Sequence, residues 1–224
     1  MCYSAEVSFF AGGVLAAASI SISRIPKERD SLPLAAIPAV FAAHQFTEGS
    51  IWLSQGNLET GNLHLAALTL YVLIAYIFWP IFIPYAVWRL EAVKWRQALM
   101  IACQVIGIAV GLNFLFGMLQ TPVGATVCTG HIAYQVASPW HIEPAYLVAV
   151  IVPFLASSRR GLVMFGLAVA GSCGAGLYLI SLPAFPSVWC FFSALLSGGL
   201  FAYFRAEQRT GEERLNVTRC TLTG

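Results

Sequence analysis

The twelve Lys and Arg residues of this 224-residue chain occur only in alternate gaps between its apolar stretches. That sorting constrains the fold more than any other feature. Arg24, Lys27 and Arg29 occupy the first gap, and Arg89, Lys94 and Arg96 the third. Arg159 and Arg160 lie in the fifth, and Arg205, Arg209, Arg214 and Arg219 in the C-terminal tail. The N-terminal segment and the second, fourth and sixth gaps hold none. Only 10% of the residues are charged and 58% are hydrophobic, whereas a soluble domain carries roughly 25% charged residues. So little charge cannot cover a water-facing surface, so a bilayer is the expected solvent. A net charge of +2, with the basic residues in short loops, argues against nucleic acid as a partner.

A helix needs about 20 mostly apolar residues to cross the hydrocarbon core. Seven segments meet that need: 5–22, 33–54, 64–87, 97–118, 142–157, 161–182 and 186–204. The expected fold is therefore all-α, a polytopic membrane protein whose seven-transmembrane-helix bundle occupies 1–204, with a cytoplasmic tail over 205–224. Basic residues stay on the cytoplasmic side. The N-terminus is then outside, the C-terminus is cytoplasmic, and the chain passes repeatedly through a cell (inner) membrane. The opening MCYSAEVSFF has no basic n-region and carries Glu6, so the first apolar stretch is expected to remain in the mature protein. Pro80 and Pro84 predict a kink near the cytoplasmic end of the third span. The long fourth connection, 119–141, predicts a functional or locally structured segment. A short helix is expected to continue past Phe204. Trp52, Trp140 and Trp189 suit anchoring at the lipid interface as well as contact with a membrane-protein partner or a second copy.

All four histidines, His44, His64, His131 and His141, fall on the outer side of this plan. His44 and Glu48 are four residues apart in the second span and so share a helical face. Ionisable groups inside a span are costly and usually face a bundle interior or a wet cavity. The pair marks either a functional site or a neutral, hydrogen-bonded contact that fixes packing. His64 reads as an interfacial residue. Cys128 and His131 form Cys-x-x-His, with two donors close enough for one metal ion. Glu143, beside His141, suits the positive end of a helix dipole. Asn113, Gln104 and Tyr178 are candidates to line the same pocket or to bond between helices.

Three of the six cysteines, Cys103, Cys173 and Cys190, lie within spans and read as small packing residues. Cys220 lies in the tail and is expected to be reduced. Cys2 and Cys128 are expected outside, where they could form a disulfide or ligate metal with His131. Removal of Met1 would give Cys2 a free α-amine beside its thiol, a chelating or nucleophilic pair.

The opening Met1-Cys2-Tyr3-Ser4-Ala5, the segment Glu48-Gly49-Ser50-Ile51-Trp52 and the stretch His131-Ile132-Ala133-Tyr134 resemble an uncharacterised bacterial membrane family. Its members typically begin Met-Cys-Phe-Ser-Ala and carry Glu-Gly-x-x-Trp in the second span. The seven-span plan extends the resemblance over nearly the whole chain. Tyr3 departs from the commoner Phe, and His44 stands where many relatives carry Gln. The resemblance implies a fold and no activity. Seven-span zinc hydrolases of the alkaline ceramidase and adiponectin receptor type share the span count, but their late His-x-x-x-His pair is absent, and 161–204 contains no His, Asp or Glu. The seventh span has no Lys for a retinal Schiff base, which excludes a microbial rhodopsin.

The expected function is a membrane protein that binds zinc or copper near its outer face, as a metal-dependent enzyme or a metal-handling protein. Soft thiolate and imidazole donors suit those ions better than magnesium or calcium. Cys2, His44, Glu48, Cys128, His131 and His141 are the candidate ligands, with Glu48 also the candidate catalytic base. The alternative is a non-catalytic accessory subunit or small-ligand-binding module closed by a Cys2–Cys128 disulfide. A transporter fits less well, because neither an inverted repeat nor an acidic path through the inner halves of the spans is visible.

Overall fold

The computed structural model describes residues 4–25, 28–55, 61–128, 131–140, 142–179 and 185–210. Among these the architecture is helical, with one hairpin. The helices are α1 (Ala5–Ser23), α2 (Leu32–Ser54), α3 (Gly61–Val72), α4 (Trp79–Trp88), α5 (Lys94–Gln120), α6 (Glu143–Leu155), α7 (Arg160–Leu179) and α8 (Phe185–Ser197). The chain turns at Gly198 and is helical again over 199–210. Ser4 caps α1 by accepting from the Val7 amide, which satisfies one of the donors left over at a helix start.

Among the described residues, four helices are long and apolar enough to cross a membrane: Ala5–Ser23, Gly61–Trp88, Lys94–Gln120 and Arg160–Tyr178. α2 has 23 residues, but its second half carries His44, Gln45, Thr47, Glu48 and Ser50, which lower its hydropathy. α6 has 13 residues, about 20 Å of helix at the usual rise, so the segment expected at 142–157 falls short of a full crossing of roughly 30 Å. The segment expected at 186–204 breaks at Gly198.

The sequence predicts a kink at Pro80 and Pro84 in the third span, and the structure shows a change of helical winding just before them. Residues Leu73–Phe78 form a π-helical segment that joins α3 to α4 without a gap. The Trp79 amide bonds back to the Ile74 carbonyl, five residues earlier. Pro80 has no N–H, so the Ala75 carbonyl loses both of its possible helical donors. The Tyr146 hydroxyl of α6 takes that place and donates to Ala75 O at 2.6 Å. Pro84 likewise offers no donor to the Pro80 carbonyl, which lies against Gly107 of α5. A Cβ at position 107 would sit 1.8 Å from that oxygen, so only glycine lets the two helices approach this closely.

The fourth connection is not a simple loop. Gly124–Cys128 (β1) and His131–Gln135 (β2) pair antiparallel, with Cys128 opposite His131 and Gly124 opposite Gln135. The alternation of a strand puts Ile132 and Tyr134 on one face and His131, Ala133 and Gln135 on the other. Ile132 is completely buried and Tyr134 nearly so. They join Ile51, Leu68, Tyr71, Val72, Ala75 and Cys190 in a small core beneath the hairpin. The larger core runs through the rest of the bundle around Leu34, Phe41, Trp79, Met100, Phe154 and Leu200. Gly117 receives the chain leaving the hairpin, since a Cβ there would meet the Ala137 carbonyl at 2.2 Å.

The opposite end of the bundle carries the basic residues among those described and is tied by polar contacts. Glu91, in the α4–α5 connection, is buried. Its Oε1 accepts from the Ala92 and Val93 amides at 3.1 and 3.0 Å, and its Oε2 from the Ser158 amide at 2.7 Å. Arg96 donates to Ala156 O at 2.9 Å. Ion pairs join Arg89 to Asp30 and Arg159 to Glu207.

Candidate functional site

The hairpin end of the bundle holds a buried polar cluster built on α2. His44, Gln45 and Glu48 are all completely buried there. The helical spacing of His44 and Glu48 aims both into the protein, as the sequence predicts. His44 stacks on Tyr71 of α3 with ring centroids 4.1 Å apart, and Tyr71 stacks on Tyr134 of β2 at the same separation. The three rings therefore form one pile that crosses three elements. Tyr134 donates its hydroxyl to Glu48 Oε1 at 3.4 Å.

The ring tautomer of His44 follows from its partner. Nε2 lies 3.3 Å from the Tyr71 carbonyl oxygen, which can only accept, so Nε2 carries the proton. Nδ1 then presents its lone pair, and among the described residues it has no hydrogen-bond partner. A histidine held by one nitrogen on a backbone carbonyl, with the other bare, has the arrangement common among metal ligands.

Cys190 of α8 was expected to be a packing residue. It packs in the small core as expected, buried like Cys103 and Cys173, and there it also lies against the Tyr71 hydroxyl and within electrostatic reach of Glu48. The same surroundings reach Tyr76 of the π segment and Tyr146 of α6. Sequence patterning alone could not place these three tyrosines and one thiol together, because they come from four elements. The available signal was the tyrosine of the His131-Ile132-Ala133-Tyr134 stretch, whose strand alternation points it inward.

The other candidates separate. His131 is half-buried, and burial holds its imidazole pKa below the ordinary value. It sits on the hairpin face opposite to Tyr134, and the backbone register sets it directly across from Cys128. Cys2 and His141 lie outside the described residues, as does Cys220. His64 shares a 2.7 Å hydrogen bond between its Nδ1 and Ser54 Oγ, at the junction of α2 and α3. Glu143 is exposed in the first turn of α6, where it suits the helix dipole. Asn113 is completely buried and donates to Ser138 Oγ at 3.1 Å. Tyr178 was a candidate to line the pocket, but it is 89% exposed and does not. Gln104 is also remote, in a groove beside α4. Among the described residues, no group of three His, Cys, Asp or Glu side chains lies close enough to hold a metal ion.

The fold and site define an all-helical protein with membrane-compatible helices, whose buried histidine and glutamate lie beneath a β-hairpin. A family model described as "Family of unknown function (DUF6629)" matches residues 1–215, and the chain belongs to that family. No curated protein and no solved structure matches it.

Proposed function

We propose that this chain is a seven-span protein of the cell membrane that holds a zinc or copper ion in the polar site near its outer face. The observation that carries the metal reading is His44, whose Nε2–H is fixed on Tyr71 O while the buried Nδ1 lone pair stays unpartnered. Glu48, one turn along the same face, adds an anionic oxygen. The further candidate donors are Cys2, Cys128, His131 and His141, which the sequence assigns to the same side, with His131 on the hairpin face away from Tyr134. A bound ion supplies Lewis acidity, and Glu48 is the candidate general base.

The topology rests on charge and on the pairing of the basic end. Arg89, Arg96 and Arg159 lie at the end of the bundle away from the hairpin, bound to Asp30, Ala156 and Glu207. Positive charge marks the cytoplasmic side, so the hairpin and the His44–Glu48 site face outward. Crossing by α2, α6 and the α8 region completes the seven spans, with the short α6 accommodated by local thinning of the bilayer.

Elemental analysis of protein purified from membranes and offered zinc or copper tests the metal reading. About one equivalent per chain is expected in the parent. Marked loss is expected in His44→Ala and Glu48→Gln, and in at least one of Cys2→Ser and His131→Ala. Metal-free parent protein would overturn the reading, as would unchanged metal in all four variants. A mass two hydrogens low under non-reducing conditions, with no metal, would support the disulfide-closed module in its place.

A further inference from the structure

We infer that the chain forms a two-fold homodimer in the membrane through α5, with Gln104 of each copy bonded to Gln104 of the other. The inference rests on the membrane reading above and is independent of the metal. Gln104 lies on α5 ten residues after Lys94, about 15 Å into the bundle at the usual helical rise. It is half-buried, on the wall of a surface groove of about 560 Å³. The rest of that wall is apolar and includes Ile77, Phe78, Ile81, Phe82 and Tyr85. Phe78 and Phe82 stack there at 4.6 Å. Among the described residues, Gln104 has no hydrogen-bond partner.

An unpaired carboxamide facing lipid at this depth is costly, because hydrocarbon offers neither donor nor acceptor. The groove therefore calls for an occupant that both donates and accepts in mid-bilayer. A phospholipid carries its ester groups at the interface, and a carbonyl-bearing lipophile only accepts, which leaves the Gln104 oxygen unsatisfied. A second carboxamide satisfies both atoms, and a two-fold axis brings the same residue of another copy into place. Shape agrees with chemistry. Ile101, Val105 and Ile108 are exposed on α5 beside the groove, and their spacing of four and three makes one helical ridge. In a self-complementary pair, the ridge of one copy fills the groove of the other.

The full-length protein in lipid bilayers, at decreasing protein-to-lipid ratios, gives the test. Single-molecule subunit counting is expected to show dimers in the parent. Gln104→Leu is expected to weaken dimerisation about tenfold, in line with one to two kcal/mol for interhelical polar contacts. Val105→Trp, on the exposed ridge and away from the core, is expected to block it. Gln104→Cys is expected to give a covalent dimer under mild oxidation that Val105→Trp suppresses. Monomeric parent protein at every ratio would overturn the inference, as would dimers indifferent to both Gln104→Leu and Val105→Trp. Metal content is expected to be unchanged in these variants. A chain extracted from membranes by alkaline carbonate would instead show the membrane reading itself to be wrong.

Discussion

Tyr134 donates its hydroxyl to Glu48 Oε1 at 3.4 Å, so the hairpin and the second helix meet at a buried carboxyl group. The contact adds a polar tie to the apolar packing of Ile132 and Tyr134 that seats the hairpin on the bundle. Its aromatic ring is stacked on Tyr71, so the hydroxyl is held in place by packing as well as by the bond. Tyr134→Phe keeps the stack and removes the donor. The expected cost is about 1 kcal/mol, the lower part of the range for depriving a buried polar group, because the bond is long. A double-mutant cycle with Glu48→Leu, which removes the acceptor, read by thermal unfolding in detergent, should give a coupling of at least about 0.5 kcal/mol. Additive effects would show that the two side chains are neighbours without energetic contact.

Gly107 and Gly171 make opposite expectations for the same substitution. At Gly107 a Cβ would lie 1.8 Å from the Pro80 carbonyl, and backbone cannot give way as a side-chain tip can. Gly107→Ala gains about 0.8–1.0 kcal/mol of helix propensity. The clash costs typically 1–3 kcal/mol or more in a packed interior, so the variant should be less stable. At Gly171 of α7 nothing lies within 4 Å of the added Cβ. Gly171→Ala should therefore keep the propensity gain and raise the melting temperature. Equal shifts for the two variants would contradict the close approach of α5 to Pro80.

Tyr146 compensates for Pro80, and its removal should show it. Tyr146→Phe leaves the ring in the core and strands the Ala75 carbonyl, whose helical donors are already missing. A loss of about 1–3 kcal/mol is expected, as for other buried groups left without a partner. In hydrogen exchange, amides of Leu73–Phe78 should lose protection more than those of α1. A uniform change along the chain would indicate general destabilisation instead.

The parts of the fold that depend on period and charge were legible in the sequence. His44 and Glu48 sit four apart, and the structure buries both on one face because a helix repeats near that spacing. The described basic residues gather at one end for the same reason that they sort among the gaps. The hairpin was less legible. Gly124–Cys128 and His131–Gln135 are short, and their pairing depends on a connection that carries no common two-residue turn signal. The π segment was hidden because Pro80 and Pro84 announce a disturbance without saying which winding absorbs it. Tyr71 was missed because its stacking between His44 and Tyr134 is set by packing between distant elements, whereas Cys190 packs in the small core as the sequence suggests. Exposure of Tyr178 shows the same limit in reverse, since a polar group near a helix end carries no sign of which side it faces.

Glu91 gives a stability term with a definite pH sign. Burial pushes its carboxyl pKa up, but the amides of Ser158, Val93 and Ala92, with the Ser158 side chain, outweigh that and hold it below the ordinary value of 4.5. A carboxyl group with a lowered folded pKa stabilises fully above its unfolded pKa. That contribution fades as the pH falls below about 4.5 and through the folded value, where the folded state must also take up the proton. Glu91→Gln should therefore lower the melting temperature at pH 7 and flatten the acid limb of the stability curve. The amide also turns a donor towards the Val93 or Ser158 N–H, so the loss should reach about 1.5–3 kcal/mol, the range for hydrogen bonds to a charged group. Ser158→Ala keeps the backbone donor but removes the hydroxyl, so it should weaken the acid limb less than Glu91→Gln does. An acid limb of unchanged slope in Glu91→Gln would show that the Glu91 carboxylate does not carry the acid loss of stability.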